Sequence, residues 1–272
     1  MQIIMEDGIN EAFLKQGERV YTGLDFAKAL KMAGIREGDT ICVQSQLYSL
    51  GKSLLRKEDF LKMIIYVLQY VIGLHGTLLM PAFSYSFCKG EDYNILQSPS
   101  DVGMLTEYFR KIPGVYRTSH PIFSFSVWGR RAKEFLALPV SSFDQNSVYG
   151  HMIKGNDKLI FLGAPVGYTF YYIAEESVQV SHRFYKNFSG NVVSNGDTYM
   201  QTVPYYVRRL DQRSTESERK INKYLFENGY QKKIEFGKGS ITVAETGIVF
   251  DKLVKKIKSD EKFFLRDRDD VL

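Results

Sequence analysis

The sequence predicts an α/β fold with a largely parallel central sheet and helices on both faces. Short apolar, β-branched segments alternate with longer helical segments through the first 163 residues. This strand–helix–strand order is typical of parallel sheets joined by crossover helices. A chain of 272 residues with 44% apolar and 25% charged residues is also ordinary for a globular protein. Because no repeat, low-complexity segment or linker interrupts it, we expect residues 1–272 to form a single domain.

Local signals place the elements of the first half. Thr22-Gly-Leu-Asp25 has the form of a capping box and opens a helix that ends at Gly34. The β-branched segment Thr40 to Ser45 predicts a strand. Arg56 to Gly73 carries apolar residues near a 3.6-residue period and predicts a helix, after which Gly76 to Pro81 predicts a buried strand.

Similar signals continue through the second half. We expect helices over Gly103 to Lys111 and Arg130 to Leu138. We expect strands over Ile122 to Trp128 and Lys158 to Gly163, and a polar turn over Asn146 to Gly150. Asn195-Gly196 predicts a β-hairpin over residues 190–209. Thr215-Glu-Ser-Glu218 predicts the start of a helix that ends at Gly229, and a last helix is expected from Ala244 to Lys258.

Composition and generic motifs argue against several classes of function. The chain has 36 Lys and Arg against 31 Asp and Glu, without a polybasic run, so we expect no nucleic-acid partner. The absence of a signal-peptide pattern, and of an apolar run near ~18 residues, predicts a cytoplasmic protein with no membrane partner. Cys42 and Cys88 match no metal spacing, and patterns for NAD, ATP, serine-hydrolase and zinc sites are missing.

Two polar segments lie where an open α/β fold binds ligands. Val43-Gln-Ser-Gln-Leu-Tyr-Ser-Leu-Gly51 follows a predicted strand at the carboxyl edge of the sheet, where backbone N–H groups can receive an amide-rich or phosphate-bearing ligand. An ordinary connecting loop is the alternative. Arg117-Thr-Ser-His-Pro121, with Ser124 beyond it, combines a guanidinium with hydroxyls and therefore suits a phosphate.

A third segment, Thr169-Phe-Tyr-Tyr-Ile-Ala-Glu-Glu176, suits amine chemistry. On a helix, Thr169, Tyr172 and either Glu175 or Glu176 share one face. Such a row can orient and deprotonate an amine. The alternative is a helix N-cap followed by an amphipathic face.

In their order along the chain, these segments resemble the aminoglycoside 3-N-acetyltransferase family. The matching pieces are Gly38-Asp39, Val43 to Leu47, Leu50-Gly51, Gly76 to Pro81, Ser98-Pro99, Gly103 to Arg110, Pro113-Gly114, Arg117 to Ser124, Leu162-Gly163 and Thr169 to Glu175. No single piece is decisive, but the ordered series is specific and runs from residue 20 to residue 265. The resemblance implies a three-layer α/β/α sandwich, here with a C-terminal β-hairpin and helices, an acyl-CoA co-substrate and no metal.

The resemblance also implies roles for individual residues. It places the pantetheine and phosphates of CoA on Ser45, Gln46, Leu47, Arg117, Thr118 and Ser119. We expect the acceptor to contact Gln44, Tyr85 and His120. The family's catalytic base is the histidine of Thr-x-x-His-x-x-Glu, and this position is Tyr172 here. The family's histidine in the first loop is Gln44 here.

These two departures leave the base open. Tyrosine, with an ordinary pKa near ~10, is a poor base at neutral pH. Either Tyr172 only positions the amine, or Glu175 or His182 takes the proton; a structural His182 is the alternative. We therefore predict Tyr172, Glu175 and His182 as the catalytic residues, acting in direct attack of a neutral amine on the thioester. His120 as the base, or Cys88 as a nucleophile, are further options.

The predicted function is acyl transfer from acyl-CoA to the primary amine of an amino sugar. Aminoglycosides are polycations that need an acidic pocket, whereas this chain carries a net charge of +5. That balance favours a nucleotide-linked amino sugar of the kind used in surface polysaccharide synthesis. The alternatives are an aminoglycoside 3-N-acetyltransferase that confers antibiotic resistance, and a non-catalytic binding module. A homo-oligomer is compatible with the sequence.

Overall fold

The computed structural model describes residues 8–163, 169–211 and 213–267. The strands are β1 (Ala12–Gln16), β2 (Arg19–Thr22), β3 (Thr40–Ser45), β4 (Lys52–Ser53), β5 (Thr77–Pro81), β6 (Tyr93–Asn94), β7 (Tyr116–Arg117), β8 (Phe125–Gly129), β9 (Lys158–Gly163), β10 (Arg183–Ser194), β11 (Asp197–Arg208), β12 (Gln231–Phe236) and β13 (Gly239–Glu245). The helices are α1 (Gly23–Met32), α2 (Lys57–Ile72), α3 (Met104–Phe109), α4 (Ala132–Leu136), α5 (Val148–Gly155), α6 (Tyr171–Val178), α7 (Glu218–Glu227) and α8 (Thr246–Ser259).

The central sheet has the strand order β12-β13-β9-β3-β5-β8-β7 within the described residues. Its three middle strands, β9, β3 and β5, run parallel, as predicted. The strands added at both edges pair antiparallel: β13 with β9 and β12 on one side, and β8 with β5 and β7 on the other. The α/β class is therefore confirmed, with a sheet that is more mixed than the sequence indicated.

Successive residues of the central strands face two different cores. Ile41 and Val43 of β3 pack with α1 and α2, whereas Cys42 between them packs with α5, α6 and α8. The same alternation holds along β9, where Ile160 and Leu162 belong to the first core and their neighbours to the second. A sheet covered on both faces explains the continuous apolar runs of these strands and confirms the three-layer arrangement.

Several local signals are confirmed at atomic detail. Thr22 Oγ1 accepts from Asp25 N at 3.2 Å, and Asp25 Oδ2 accepts from Thr22 N at 2.9 Å, which completes the capping box of α1. Asn195 and Gly196 have φ values of +52° and +92°, as a two-residue type I′ turn requires. The hairpin they close is longer than predicted, because its first strand already begins at Arg183.

Other predicted boundaries need correction. Strand β8 begins at Phe125 rather than at Ile122, because the N–H groups of Ile122 and Phe123 donate to the ring of His120. Ser217, not Thr215, caps α7. Residues 146–150, predicted as a polar turn, contain the start of α5, and Ala244 belongs to β13 rather than to the last helix.

Two groups of strands in the structure were not predicted from the sequence. These are the small β2-β1-β4 sheet and the β12–β13 pair at the edge of the central sheet. None of the described helices is long and apolar enough to cross a membrane.

Candidate functional site

A pocket of about 210 Å³ opens at the carboxyl ends of β3 and β5. We call it the edge pocket, and it is lined by Gln44, Ser45, Pro81, Phe83, Val102, Thr106 and Thr169. The structure thus brings together the first polar segment and Thr169, which lie far apart in sequence. Phe83, Val102 and Thr106 were not predicted as site residues; for Phe83, its position just after the parallel strand β5 was the available signal.

The loop after β3 is held against the end of β9. Gln46 N donates to Leu162 O at 2.8 Å, and Ser49 Oγ donates to Gln46 O at 2.7 Å. Gly163 has φ +103°, and a Cβ there would collide with the Gln46 carbonyl and the Ser49 hydroxyl. Among the predicted CoA residues of this loop, Ser45 lines the edge pocket, whereas Leu47 is buried in the core.

The guanidinium of Arg117 is occupied by protein atoms. It donates to Ser124 Oγ at 3.0 Å and to the carbonyl oxygens of Ile95, Ser98 and Ala82 at 3.2, 2.5 and 2.5 Å. Four of its five N–H groups are thereby used. These contacts favour a structural role, tying the segment before α3 to the sheet, over the predicted contact with a CoA phosphate.

His120 is also held by the fold. Its Nδ1 accepts from two backbone N–H groups, and its Nε2 lies 3.0 Å from Ser142 Oγ. Burial lowers the pKa of His120 to about 3, so the ring is neutral. Thr118 Oγ1 accepts from Phe125 N, and neither Thr118, Ser119 nor Tyr85 lines the edge pocket. The structure therefore does not bring these predicted contacts to the pocket.

A group of buried charges joins α6 to the start of β10. Glu175 Oε2 lies 2.6 Å from Arg183 Nε, and Glu175 Oε1 lies 2.8 Å from His182 Nε2. The Arg183 guanidinium lies 4.3 Å from the ring centroid of Tyr172, and its Nη2 is 3.7 Å from Glu216 Oε2. We call these five residues the Arg183 cluster.

Of the three predicted catalytic residues, only Tyr172 lines an open cavity. The side chains of Glu175 and His182 are 0% exposed. Their direct contact with an acceptor amine therefore has no support in this geometry, because Glu175 is paired with Arg183 and His182 contacts Glu175.

Tyr172 has a hydrogen-bond partner, a carboxylate, that was not predicted from the sequence. Its hydroxyl donates to Glu216 Oε1 at 2.6 Å. Burial, and then the negative charge of Glu216, raise the pKa of Tyr172 far above its ordinary value, so the phenol is protonated at neutral pH. Glu216 lies in an irregular segment before α7, where the Thr215 to Glu218 pattern indicated only a helix start.

The cavity beside Tyr172 is basic and aromatic. This basic cleft has a volume of about 620 Å³ and is lined by Tyr172, Arg183, Phe184, Lys186, Phe188, Tyr205, Val207, Arg208, Arg209, Leu210 and Asp211. Lys186 Nζ lies 5.0 Å from the ring of Phe188, and the Arg209 guanidinium lies 5.1 Å from the ring of Phe184. Within the described residues, Lys186, Arg208 and Arg209 form no ion pair with a carboxylate. The cleft is therefore suited to anionic or aromatic ligands.

Among the described residues, the cysteines provide no nucleophile in either cavity, and the acidic residues provide no metal site. Burial raises the pKa values of both Cys42 and Cys88, and neither thiol lines the edge pocket or the basic cleft. Among the residues that the structure describes, no three His, Cys, Asp or Glu side chains are grouped so as to hold a metal ion.

The contacts of Glu175 predict a large effect on stability. Glu175→Gln should lower the free energy of unfolding by about 3 kcal/mol or more, because it leaves the buried Arg183 without its closest counter-charge. Chemical denaturation measures this difference. Glu227→Gln, at a carboxylate that is 59% exposed and 3.8 Å from Lys223, is the control and should change stability by less than about 1 kcal/mol. A Glu175→Gln variant of wild-type stability that has lost turnover would instead assign Glu175 to the chemistry.

Comparison with known proteins identifies the family. The sequence model described as aminoglycoside 3-N-acetyltransferase matches residues 42–258. The SPbeta prophage-derived aminoglycoside N(3')-acetyltransferase-like protein YokD of Bacillus subtilis (strain 168) is 26% identical over 159 residues, which cover 50% of this chain and 57% of YokD. Aminoglycoside N(3)-acetyltransferase IV of a Salmonella species is 30% identical over 109 residues, 39% of either chain. The matches thus span about half the length of these curated relatives, or less.

A solved structure shows the same fold. AAC-IIIb in a binary complex with CoASH superimposes with a TM-score of 0.75 at 19% identity, covering 87% of this chain and 96% of that one. The resemblance inferred from the sequence is confirmed. Because the family model matches well over half of its residues, this chain belongs to the aminoglycoside 3-N-acetyltransferase family.

Proposed function

We propose that this chain transfers an acyl group from acyl-CoA to the primary amine of an amino sugar. The observation that carries the proposal is that the turn leading into α6 contributes one residue to each of the two cavities. Thr169 lines the edge pocket and Tyr172 lines the basic cleft, and Tyr172 N donates to Thr169 O at 3.1 Å. A thioester held in one cavity and an amine held in the other would meet at this helical turn, as acyl transfer requires.

The edge pocket suits the narrow arm of CoA. Its volume of about 210 Å³ is smaller than usual for a whole cofactor, but a pantetheine chain is thin enough to enter it. The AAC-IIIb complex with CoASH supports the same donor. Ser45, Thr106 and Thr169 are the hydroxyl side chains that line this pocket, and we assign Ser45 and Thr106 to the donor.

The comparisons favour an aminoglycoside as the acceptor. The family description and the Salmonella relative both name aminoglycoside acetylation. They give no support to the nucleotide-linked amino sugar and the role in surface polysaccharide synthesis that the charge balance suggested. Aminoglycoside N-acetylation is accordingly the first candidate activity.

The basic cleft favours the second candidate. Besides Arg183, which is paired with Glu175, three cations line it, Lys186, Arg208 and Arg209, against one carboxylate, Asp211. A polycationic drug would be repelled there, whereas the diphosphate of a nucleotide-linked amino sugar would be attracted. The rings of Phe184 and Phe188 offer surfaces on which a base or a sugar can stack.

The donor assignment predicts the effect of filling the edge pocket. Ser45→Leu places a larger apolar side chain at the carboxyl end of β3 and should weaken CoA binding at least about tenfold, or ~1.4 kcal/mol. Isothermal titration calorimetry with CoA measures the change. Ser259→Leu, at the exposed end of α8, is the matched control and should bind CoA as the wild type does. Equal affinities of both variants would place CoA elsewhere.

Removing positive charges from the basic cleft should distinguish the two candidate acceptors. The double variant Lys186→Gln and Arg209→Gln should lower kcat/KM for a nucleotide-linked amino sugar about tenfold or more, while that for an aminoglycoside should not fall. Thiol release from acetyl-CoA is the readout for both acceptors. The control, Lys232→Gln with Lys233→Gln on β12, removes the same charge from a strand outside the cleft. Turnover of aminoglycosides alone by the wild type would eliminate the second candidate.

A further inference from the structure

We propose that Glu216 accepts the proton of the acceptor amine and that Tyr172 relays it. This inference rests on the proposed function and names the base that the sequence left open. Glu216 acts through the phenol, while Tyr172 is the group that touches the amine.

The geometry joins the two side chains directly. Tyr172 Oη and Glu216 Oε1 are 2.6 Å apart, which is typical of a hydrogen bond from a hydroxyl to a carboxylate. Tyr172 lines the basic cleft and is half-buried, so a ligand there can reach the phenol oxygen. Glu216 is 18% exposed and can return a proton to water after each cycle.

Tyr172 does not need to ionise in this arrangement. An ammonium group that donates to the phenol oxygen can pass its proton there while the phenol passes its own proton to Glu216. The phenol is thus regenerated in the same step and never has to exist as a phenolate, which its buried surroundings disfavour. The Glu216 carboxylate is the final proton acceptor, and the Tyr172 hydroxyl carries the proton from the amine to that carboxylate.

The surrounding contacts keep both partners in place. Arg183 lies over the Tyr172 ring and reaches Glu216 with its Nη2, and it is itself held by Glu175. The backbone of Glu216 is fixed from the other side, where it bridges to Leu265 and its carbonyl oxygen accepts from Arg266 Nε at 3.2 Å. These contacts therefore fix the positions of Tyr172 and Glu216 relative to each other, as efficient proton transfer requires.

The reaction balances with these groups alone. The ammonium loses one proton to Glu216 through Tyr172, and the neutral amine then attacks the thioester carbon. The C–N bond forms and the C–S bond breaks, and the sulfur leaves as a thiolate with the bonding pair. The second nitrogen proton passes to that thiolate, giving the amide and free CoA, and Glu216 releases the first proton to water.

The test compares carboxylate variants across pH. Among the described residues, the charged or titratable groups that face Glu216 are Tyr171, Tyr172, Arg183, Tyr205, Glu218 and Arg266. Glu216→Gln should lower kcat about 10²-fold or more at neutral pH, the usual effect of losing a positioned base. The defect should shrink as the pH rises past the pKa of the acceptor amine, because the amine then arrives neutral. Tyr172→Phe should show the same trend.

Four measurements distinguish a structural effect of these substitutions from a chemical one. The Kd for CoA and the denaturation midpoint should be unchanged in Glu216→Gln, and Glu216→Asp, which keeps the charge, should recover part of kcat. Glu218→Gln, a neighbouring carboxylate without a contact to Tyr172 among the described residues, is the matched control and should keep wild-type turnover.

Two outcomes overturn the proposal in different ways. A kcat for Glu216→Gln that equals the wild-type value, or that is reduced equally at every pH, contradicts the relay while the proposed function stands. No thiol release by the wild type with any amino-sugar acceptor contradicts the proposed function and the relay with it.

Discussion

The arrangement of the site depends on one buried guanidinium, that of Arg183. A charge in a protein interior is very costly unless it is paired, and Arg183 is paired with Glu175 at 2.6 Å. Arg183 opens β10 and Glu175 lies in α6, so this ion pair fixes the hairpin against the helix. Tyr172 is one helical turn from Glu175, and the cations of the basic cleft follow on the same hairpin. The position of the Tyr172 phenol relative to the cations of the cleft therefore depends on this ion pair.

The same cluster shows how the site differs from the pattern that identified the family. Where the family has a histidine that serves as the base, this chain has a phenol that stays protonated. The nearby carboxylates are unequal, because Glu175 is sealed against Arg183 and His182, whereas Glu216 is in contact with the phenol and partly exposed to solvent. A Tyr–Glu pair can move a proton at neutral pH without an imidazole. In the basic cleft beside it, a polycationic acceptor would meet like charges.

Features set by neighbouring residues were predictable from the sequence. The capping box of Thr22 and Asp25, the Asn195-Gly196 turn and the bounds of β3 and β9 all follow from local hydrogen bonding, backbone torsions or buried apolar runs. Features set by distant residues were not. Tyr172 and Glu216 are 44 positions apart, and only the fold brings them together. Arg117 shows why a local motif does not settle a role, because a guanidinium beside hydroxyls suits backbone carbonyls as well as it suits a phosphate, and here the carbonyls are close by.

We propose that donor and acceptor meet at the turn leading into α6, where Thr169 lines the edge pocket and Tyr172 lines the basic cleft. A crystal structure of the protein with CoA tests it most directly, because the thiol marks the position of the reacting carbonyl. We expect the pantetheine arm in the edge pocket beside Ser45, with its sulfur within about 5 Å of the Tyr172 hydroxyl, close enough for a bound amine to contact both. CoA bound away from the carboxyl ends of β3 and β5, or a sulfur more than about 10 Å from Tyr172, would contradict the account.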